Sequence, residues 1–173
     1  MGENQFCSMQ GHMHYTFDWF TTVSLPYSNR LSAIYFLNAY KVCLFGVSCE
    51  PLKKFVVYII PEFICGREEH IQNISISLIH HFLTKFALGE TQALIHFGDN
   101  SMQMNKNHLL LAYFAWRTIS GLHEKVSLSF FPQGHSKCWN DLYMGIIKKN
   151  FRGNQEVKEL IVFFITFFYN FYL

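Results

Sequence analysis

The chain has 173 residues and a formal net charge of +2 at pH 7, with 50% hydrophobic and 18% aromatic residues. This length suits one domain with a sizeable core and leaves little room for two. The apolar content excludes a disordered chain, whereas the small charge decides little, since a weakly basic protein can bind DNA through one local patch.

The cysteine pattern and the N-terminus indicate the compartment. There are five cysteines, and none of them forms a Cys-x-x-Cys pair, which argues against a zinc finger. The N-terminus lacks a basic region followed by an apolar run, so no secretory signal is expected. We therefore expect free thiols in a reducing, intracellular compartment.

The last residues differ in composition from the rest of the chain. From residue 160 onward the sequence reads LIVFFITFFYNFYL, which is shorter than the roughly 20 apolar residues of a membrane-spanning helix. Three interpretations stay open: a buried strand or helix, a tail that touches a membrane, and non-native sequence at a truncated end. The composition shift near residue 157 favours the last of these.

The first third of the chain predicts three strands. Residues 13–24 are rich in aromatic and β-branched side chains, residues 33–50 have the composition of a strand throughout, and residues 54–63 form a third apolar run. The connections around Pro26 and Pro51 are short. We therefore expect an antiparallel meander.

Helices and strands alternate after that point. Apolar residues recur at steps of three and four between residues 66 and 88, which predicts a long amphipathic helix. Its adjacent histidines, His80 and His81, are expected to lie on the solvated surface. Residues 91–97 predict a fourth strand.

Two more helices and one more strand complete the prediction. Asn107 is a fair N-cap for a helix that Gly121 ends, and because this helix is apolar almost all round, we expect it to be buried on the sheet. Residues 126–131 predict the fifth strand, and Asn140 or Asp141 opens the last helix.

The element order β-β-β-α-β-α-β-α predicts an α/β fold. It has a mixed sheet of about five strands, three antiparallel and then two βα crossovers, with flanking helices and strand 1 beside strand 4. This layout resembles the RNase H-like fold. The predicted domain covers residues 14–152, and residues 153–173 form the atypical apolar tail.

The chain contains just three aspartates, Asp18, Asp99 and Asp141. If strands 1, 4 and 5 are adjacent and parallel, these residues converge at one edge of the sheet. Carboxylate oxygens there suit two Mg²⁺ or Mn²⁺ ions roughly 3.5–4 Å apart, the arrangement used for phosphoryl transfer. Each residue also has a purely structural interpretation: an outward residue on an edge strand, a turn residue and a helix N-terminal residue, respectively.

Other polar residues are candidates for the same site. His135, in a Gly-His-Ser-Lys loop, is predicted to orient substrate, assist proton transfer or contact the metal, with a structural histidine as the alternative. Basic side chains near this end of the sheet are expected to contact phosphates without sequence specificity, and a solvated helix face is the alternative for the pair on the last helix. They are Lys106, Lys137, Lys148, Lys149 and Arg152.

Three motifs carry a family resemblance. They are Phe17-Asp18 with Leu25-Pro26; Asp99-Asn100 with Asn105-Lys106-Asn107 and the Tyr113…Trp116-Arg117 helix; and Gly134-His135-Ser136-Lys137 with Asp141 and Gly145. They resemble a domain of unknown function found in eukaryotic mobile-element-derived proteins, which is similar to the RNase H-like catalytic domain of DDE transposases.

The resemblance implies a function for the candidate residues. The three aspartates would correspond to the acidic triad that holds Mg²⁺ or Mn²⁺, with His135 close by. The implied activity is that of a metal-dependent nuclease or DNA strand-transfer core, with DNA as partner, the nucleus as location and no small-molecule cofactor.

Departures from the family pattern leave the activity open. Ser101 stands where cysteine is usual, Met102, Gln103 and Met104 replace a small-Gly-Gln run, and Met144 replaces an aromatic residue. The chain also begins almost at the first strand, so we expect no upstream DNA-binding module and a partial or degenerate copy of a mobile-element gene. The alternatives are a catalytically inactive scaffold that binds nucleic acid or protein and, third, a small protein anchored to a membrane by its tail.

Overall fold

The computed structural model describes residues 12–25, 40–49, 54–65, 68–86, 90–97, 107–130 and 139–153. Five strands and four helices lie within these ranges. In chain order they are β1 (His12–Leu25), β2 (Tyr40–Cys49), β3 (Lys54–Pro61), α1 (Glu62–Cys65), α2 (Glu68–Lys85), β4 (Gln92–Phe97), α3 (His108–Ile119), β5 (Lys125–Phe130) and α4 (Trp139–Gly153).

The described strands form one mixed sheet in the order β3-β2-β1-β4-β5. β2 pairs antiparallel with β1 and β3, whereas β4 pairs parallel with β1 and β5. The predicted α/β class, the antiparallel meander and the position of strand 1 beside strand 4 are thereby confirmed. Because β1 is the central strand, the interpretation of Asp18 as a residue on an edge strand is wrong.

The main core lies between the sheet and helices α2 and α3. Tyr15 and Phe17 on β1 have no exposed surface, and Phe82 of α2 packs edge-on against both rings, with centroids 5.8 and 6.4 Å away. Leu110 and Phe114 of α3 belong to the same cluster. A fully buried side chain of this size contributes about 1.5–3 kcal/mol, so this face supplies most of the apolar stabilisation.

The ends of α3 follow the sequence prediction. The Asn107 side chain accepts a hydrogen bond from the backbone N–H of Leu110 at 2.8 Å, which is an N-cap contact. Gly121 follows the helix with φ of 71°, and the N–H of Leu122 donates to the carbonyl of Arg117. This left-handed position favours glycine, since a Cβ would be strained there.

Helix α3 is buried on the sheet as expected, but only along one stripe of its surface. Leu111 is 50% exposed, Trp116 is 48% exposed and Ile119 is 86% exposed. One helix lying on a sheet buries only a stripe of its surface, and here the stripe runs through Leu110 and Phe114. The remaining apolar side chains of α3 therefore face outward.

Two further predictions change in the middle of the chain. The third strand ends at Pro61, and Glu62–Cys65 form the short helix α1 instead of continuing the strand to residue 63. His81 is half-buried rather than solvated, and its Nδ1 is 2.8 Å from the Tyr58 hydroxyl. Part of the second predicted strand, residues 33–39, lies outside the described residues.

No helix among the described residues is long and apolar enough to cross a membrane. The apolar tail, residues 154–173, lies outside these residues, so the predictions made for it are untested.

Candidate functional site

Asp18 lies in the middle of β1 on the face opposite the main core. Its neighbours in sequence belong to the core face: Phe17 is fully buried there, and the Trp19 ring nitrogen donates to Ser75 of α2 at 2.8 Å. Since successive side chains of a strand point to opposite faces, Asp18 shares the other face with Thr16. Its carboxylate is half-buried and is not forced into the aromatic core.

Helix α4 covers this second face. Met144 is 2% exposed and packs with Val42 and Leu44 of β2, and Phe20 of β1 lies against the same cluster. One residue before Met144, the Tyr143 ring stacks on Phe55 of β3 with centroids 5.0 Å apart. Because these contacts involve three neighbouring strands, α4 lies across the antiparallel half of the sheet.

The first turn of α4 is attached to the backbone beside Asp18. The side-chain nitrogen of Asn140 donates to the carbonyl oxygen of Thr16 at 3.0 Å and to that of Gly46 at 3.4 Å. Gly46 is the residue of β2 directly opposite Asp18. The start of α4 and the middle of β1 therefore meet at the position of the candidate carboxylate.

Asp141 follows Asn140 in the first turn of α4 and is exposed to solvent. A carboxylate at this position is favoured by the unpaired backbone N–H groups of the helix N-terminus. The structure thus brings Asp18 and Asp141 to the same face of the sheet and to the same end of α4. Of the three predicted acids, these two lie among the described residues.

The other predicted acid follows β4. That strand ends at Phe97, which pairs with Phe17, the residue before Asp18. Asp99 comes two residues later and lies outside the described residues, as do His135, Lys106 and Lys137. Within the part of the chain that the structure describes, no three His, Cys, Asp or Glu side chains are close enough to share a metal ion.

The basic pair of α4 is further along the same helix. Lys148 is half-buried and Lys149 is exposed. They follow Asp141 by seven and eight residues, which places them about 10–12 Å along the helix axis. This is about two helical turns from Asp141. The side chain of Arg152, in the last turn of α4, is not among those that the structure describes.

The donor chemistry at this position suits a hard cation. Carboxylate and amide oxygens are the ligands that Mg²⁺ and Mn²⁺ prefer. Asp18 and Asp141 supply carboxylates, and the side-chain oxygen of Asn140 is buried with no hydrogen-bond partner among the described residues. The first turn of α4 and the middle of β1 therefore fit the ion that the sequence predicts, although they do not complete a site by themselves.

A buried polar network on the opposite face was missed by sequence reasoning. The Tyr15 hydroxyl donates to Glu90, whose carboxylate is 3.7 Å from Nε2 of His123. Arg117 donates from Nε to Nδ1 of His123 at 3.2 Å and from a terminal nitrogen to the Tyr113 hydroxyl at 3.1 Å. All five residues are at least nine-tenths buried. Since a guanidinium only donates, Nδ1 of the imidazole must accept.

This network is structural in character. Burial, followed by the hydrogen bond to Glu90 and its charge, raises the pKa of Tyr15, so the phenol keeps its proton and acts as the donor. The network ties β1 to Glu90, two residues before β4, and to α3 and the loop after that helix. The sheet separates it from Asp18. The one sequence signal was the spacing of Tyr113 and Arg117, four residues apart on one helix face.

Asn140 was also missed as an anchoring residue. It was predicted only as a possible first residue of the last helix, but α4 begins at Trp139 and the side chain reaches two strands instead. No local pattern distinguishes these two uses of an asparagine, since its partners are about a hundred residues away in sequence.

No protein-family model matches the chain, and no curated protein matches it either.

Proposed function

We propose that this chain is a transposase-derived, RNase H-like domain that works as a metal-dependent nuclease or DNA strand-transfer core. The observation that carries the proposal is the strand order β3-β2-β1-β4-β5, in which β1, β4 and β5 are parallel and β2 is antiparallel to both β1 and β3. This order supports the proposal because the RNase H-like layout that the sequence resembles has strand 1 beside strand 4.

The positions of the acids support the same proposal. Asp18 is on the central strand and Asp141 is in the first turn of the helix that covers the same face. Asp99 follows the parallel neighbour of β1 by two residues. When bound there, Mg²⁺ or Mn²⁺ would activate a water or a 3′-hydroxyl of the nucleic acid and stabilise the leaving oxygen. The role of the three aspartates is to hold the ions, and that of His135 is to orient the substrate.

The remaining candidates act on the backbone of the nucleic acid. Lys148 and Lys149 lie on the helix that starts at Asp141, so a duplex that reaches the carboxylates also passes near their ammonium groups. Such contacts are non-specific and depend on salt. Lys106, Lys137 and Arg152 are proposed to extend this contact. DNA as the substrate implies action in the nucleus.

Nicking of supercoiled DNA tests the proposal. We expect cleavage that requires Mg²⁺ or Mn²⁺, and we expect Asp18→Asn, Asp99→Ala and Asp141→Asn each to lower the rate by a factor of about 100 or more. Glu124→Gln, which changes an exposed carboxylate next to β5, is the matched control and should retain the rate. Equal activity in the wild type and Asp99→Ala would show that the nicking does not come from this site.

A second function is favoured by a different observation. The outward side chains of α3 include Leu111, Trp116 and Ile119, each about half exposed or more, and exposed apolar surface of this kind is typical of protein-binding faces. A catalytically inactive binding scaffold is therefore the alternative. Calorimetry separates the two: uptake of Mn²⁺ that Asp18→Asn abolishes supports the catalytic core, and no uptake at millimolar Mn²⁺ supports the scaffold.

A further inference from the structure

Asn140 has a property that capping and helix propensity do not explain. It is the second residue of α4, it has no exposed surface, and its side-chain nitrogen is shared between carbonyl oxygens of two different strands. Asparagine inside a helix is less favourable than most residues, because its side chain competes with the backbone. Its oxygen is buried with no partner among the described residues, which adds a desolvation penalty. The contact with β1 and β2 compensates for these losses.

The Asn140 contact restricts α4 in a way that the apolar contacts do not. Met144 and Tyr143 pack through non-directional surface contacts, which allow a helix to slide or rotate by a fraction of an ångström. A single amide nitrogen that donates to Thr16 on β1 and Gly46 on β2 defines the height of the helix above the sheet and its position along the strands. The constrained point is adjacent to Asp141 in the chain and opposite Asp18 in the strand register.

We infer that Asn140 is a positioning residue that holds the Asp141 carboxylate in register with Asp18 for divalent-cation binding. The inference rests on the proposed function. Carboxylates that share closely spaced ions must be placed to within about half an ångström, and the residues that orient such ligands matter nearly as much as the ligands themselves. Asn140 supplies that orientation through its side-chain nitrogen, which donates to the backbone of the strand that carries Asp18.

The test compares Mn²⁺ binding by calorimetry in the full chain and in three variants. Asn140→Ala removes the amide, and Asn140→Ser keeps a shorter donor and serves if the alanine variant does not fold. Met144→Ala is the matched control, because it loosens α4 one turn later without changing the amide. Circular dichroism at the same temperature shows that each variant is folded.

We expect the Asn140 variants to bind Mn²⁺ at least 10-fold more weakly than the wild type, as found for residues that orient metal ligands. Met144→Ala should bind Mn²⁺ with an affinity within about threefold of the wild type, because its Asn140 amide contact remains. We expect this even if Met144→Ala loses as much thermal stability as the Asn140 variants do. In the nicking assay, kcat should fall for the Asn140 variants while KM for DNA stays unchanged.

Two results overturn the inference, and they are distinguishable. If the wild type binds Mn²⁺ and folded Asn140 variants bind it equally well, Asn140 has no positioning role, while the proposed function stands. If the wild type binds Mn²⁺ no better than Asp18→Asn does, the proposed function fails and the inference fails with it.

Discussion

On one face of the sheet, Tyr15, Phe17 and Phe82 form a closed aromatic core with α2 and α3. On the other face, α4 rests on a smaller cluster around Met144 and is attached to β1 and β2 through Asn140. The helices on the first face are held to the sheet by burial of a large apolar surface, an interaction that does not depend on direction. The second is held partly by directed hydrogen bonds, which specify position more than they add stability. The candidate carboxylates lie on the second face.

The largest difference between the faces should appear when each loses a core side chain. Phe82→Ala is expected to destabilise the protein by about 3–5 kcal/mol, since the ring is fully buried between Tyr15 and Phe17. Met144→Ala should lose about 2 kcal/mol, because its smaller, partly exposed surroundings can close around the gap. Urea denaturation measures both values. A larger loss for Met144→Ala would reverse the comparison.

The buried network adds an ionic element to the first face. Glu90→Gln keeps the shape of the side chain but leaves Arg117 without the carboxylate at the other end of the His123 bridge. A charge left unpaired in this way costs about 3 kcal/mol. Glu124→Gln removes an exposed carboxylate and should change the free energy of unfolding by less than about 0.5 kcal/mol. Equal urea midpoints for the two variants would mean that the network does not stabilise the fold.

Two glycines test the packing on the α4 face with opposite expected signs. A Cβ at Gly46 would lie 2.5 Å from the Phe20 ring and 3.2 Å from the Phe55 ring, so Gly46→Ala should cost about 1–3 kcal/mol. A Cβ at Gly145 meets nothing within 4 Å, so Gly145→Ala should stabilise α4 by about 0.5–1 kcal/mol. Thermal unfolding measures both signs. Phe20→Leu should recover part of the Gly46→Ala loss.

The smallest expected effect is a pH dependence of stability caused by His81, which lies on the first face. Burial, followed by the charges of Lys85 and His80, holds the pKa of His81 below its usual 6.5. As pH falls, His81 therefore takes up a proton in the unfolded chain before it does so in the folded chain. The contribution of neutral His81 to stability is complete above about pH 6.5 and is lost as pH falls below that value. The melting temperature of His81→Gln should fall less than that of the wild type between about pH 6.5 and 5.

The exposed histidine of α3 supplies the control for this effect. His108→Gln changes a solvent-exposed imidazole at the start of that helix and should leave the acid slope of the melting temperature unchanged. If His81→Gln and His108→Gln give the same slope as the wild type, the half-buried position of His81 does not control this part of the acid response.

The element types were predictable because they depend on nearby residues. Each of these signals involves contacts within a few residues of the chain. They are the apolar repeat at steps of three and four between residues 66 and 88, the N-cap at Asn107 and the end of α3 at Gly121. Alternation along β1 likewise separates Asp18 from the face of Phe17. The extension of β3 to residue 63 was wrong because an apolar run does not show where a strand turns into a helix.

The sequence by itself determined the kinds of element, their order and the candidate acids. The tertiary structure decided which apolar side chains of α3 remain exposed and that Asn140 joins the start of α4 to Thr16, 124 residues away. The reason is physical: caps and periodicity act over one turn of chain. A buried hydrogen bond between distant segments depends on how whole helices pack on the sheet.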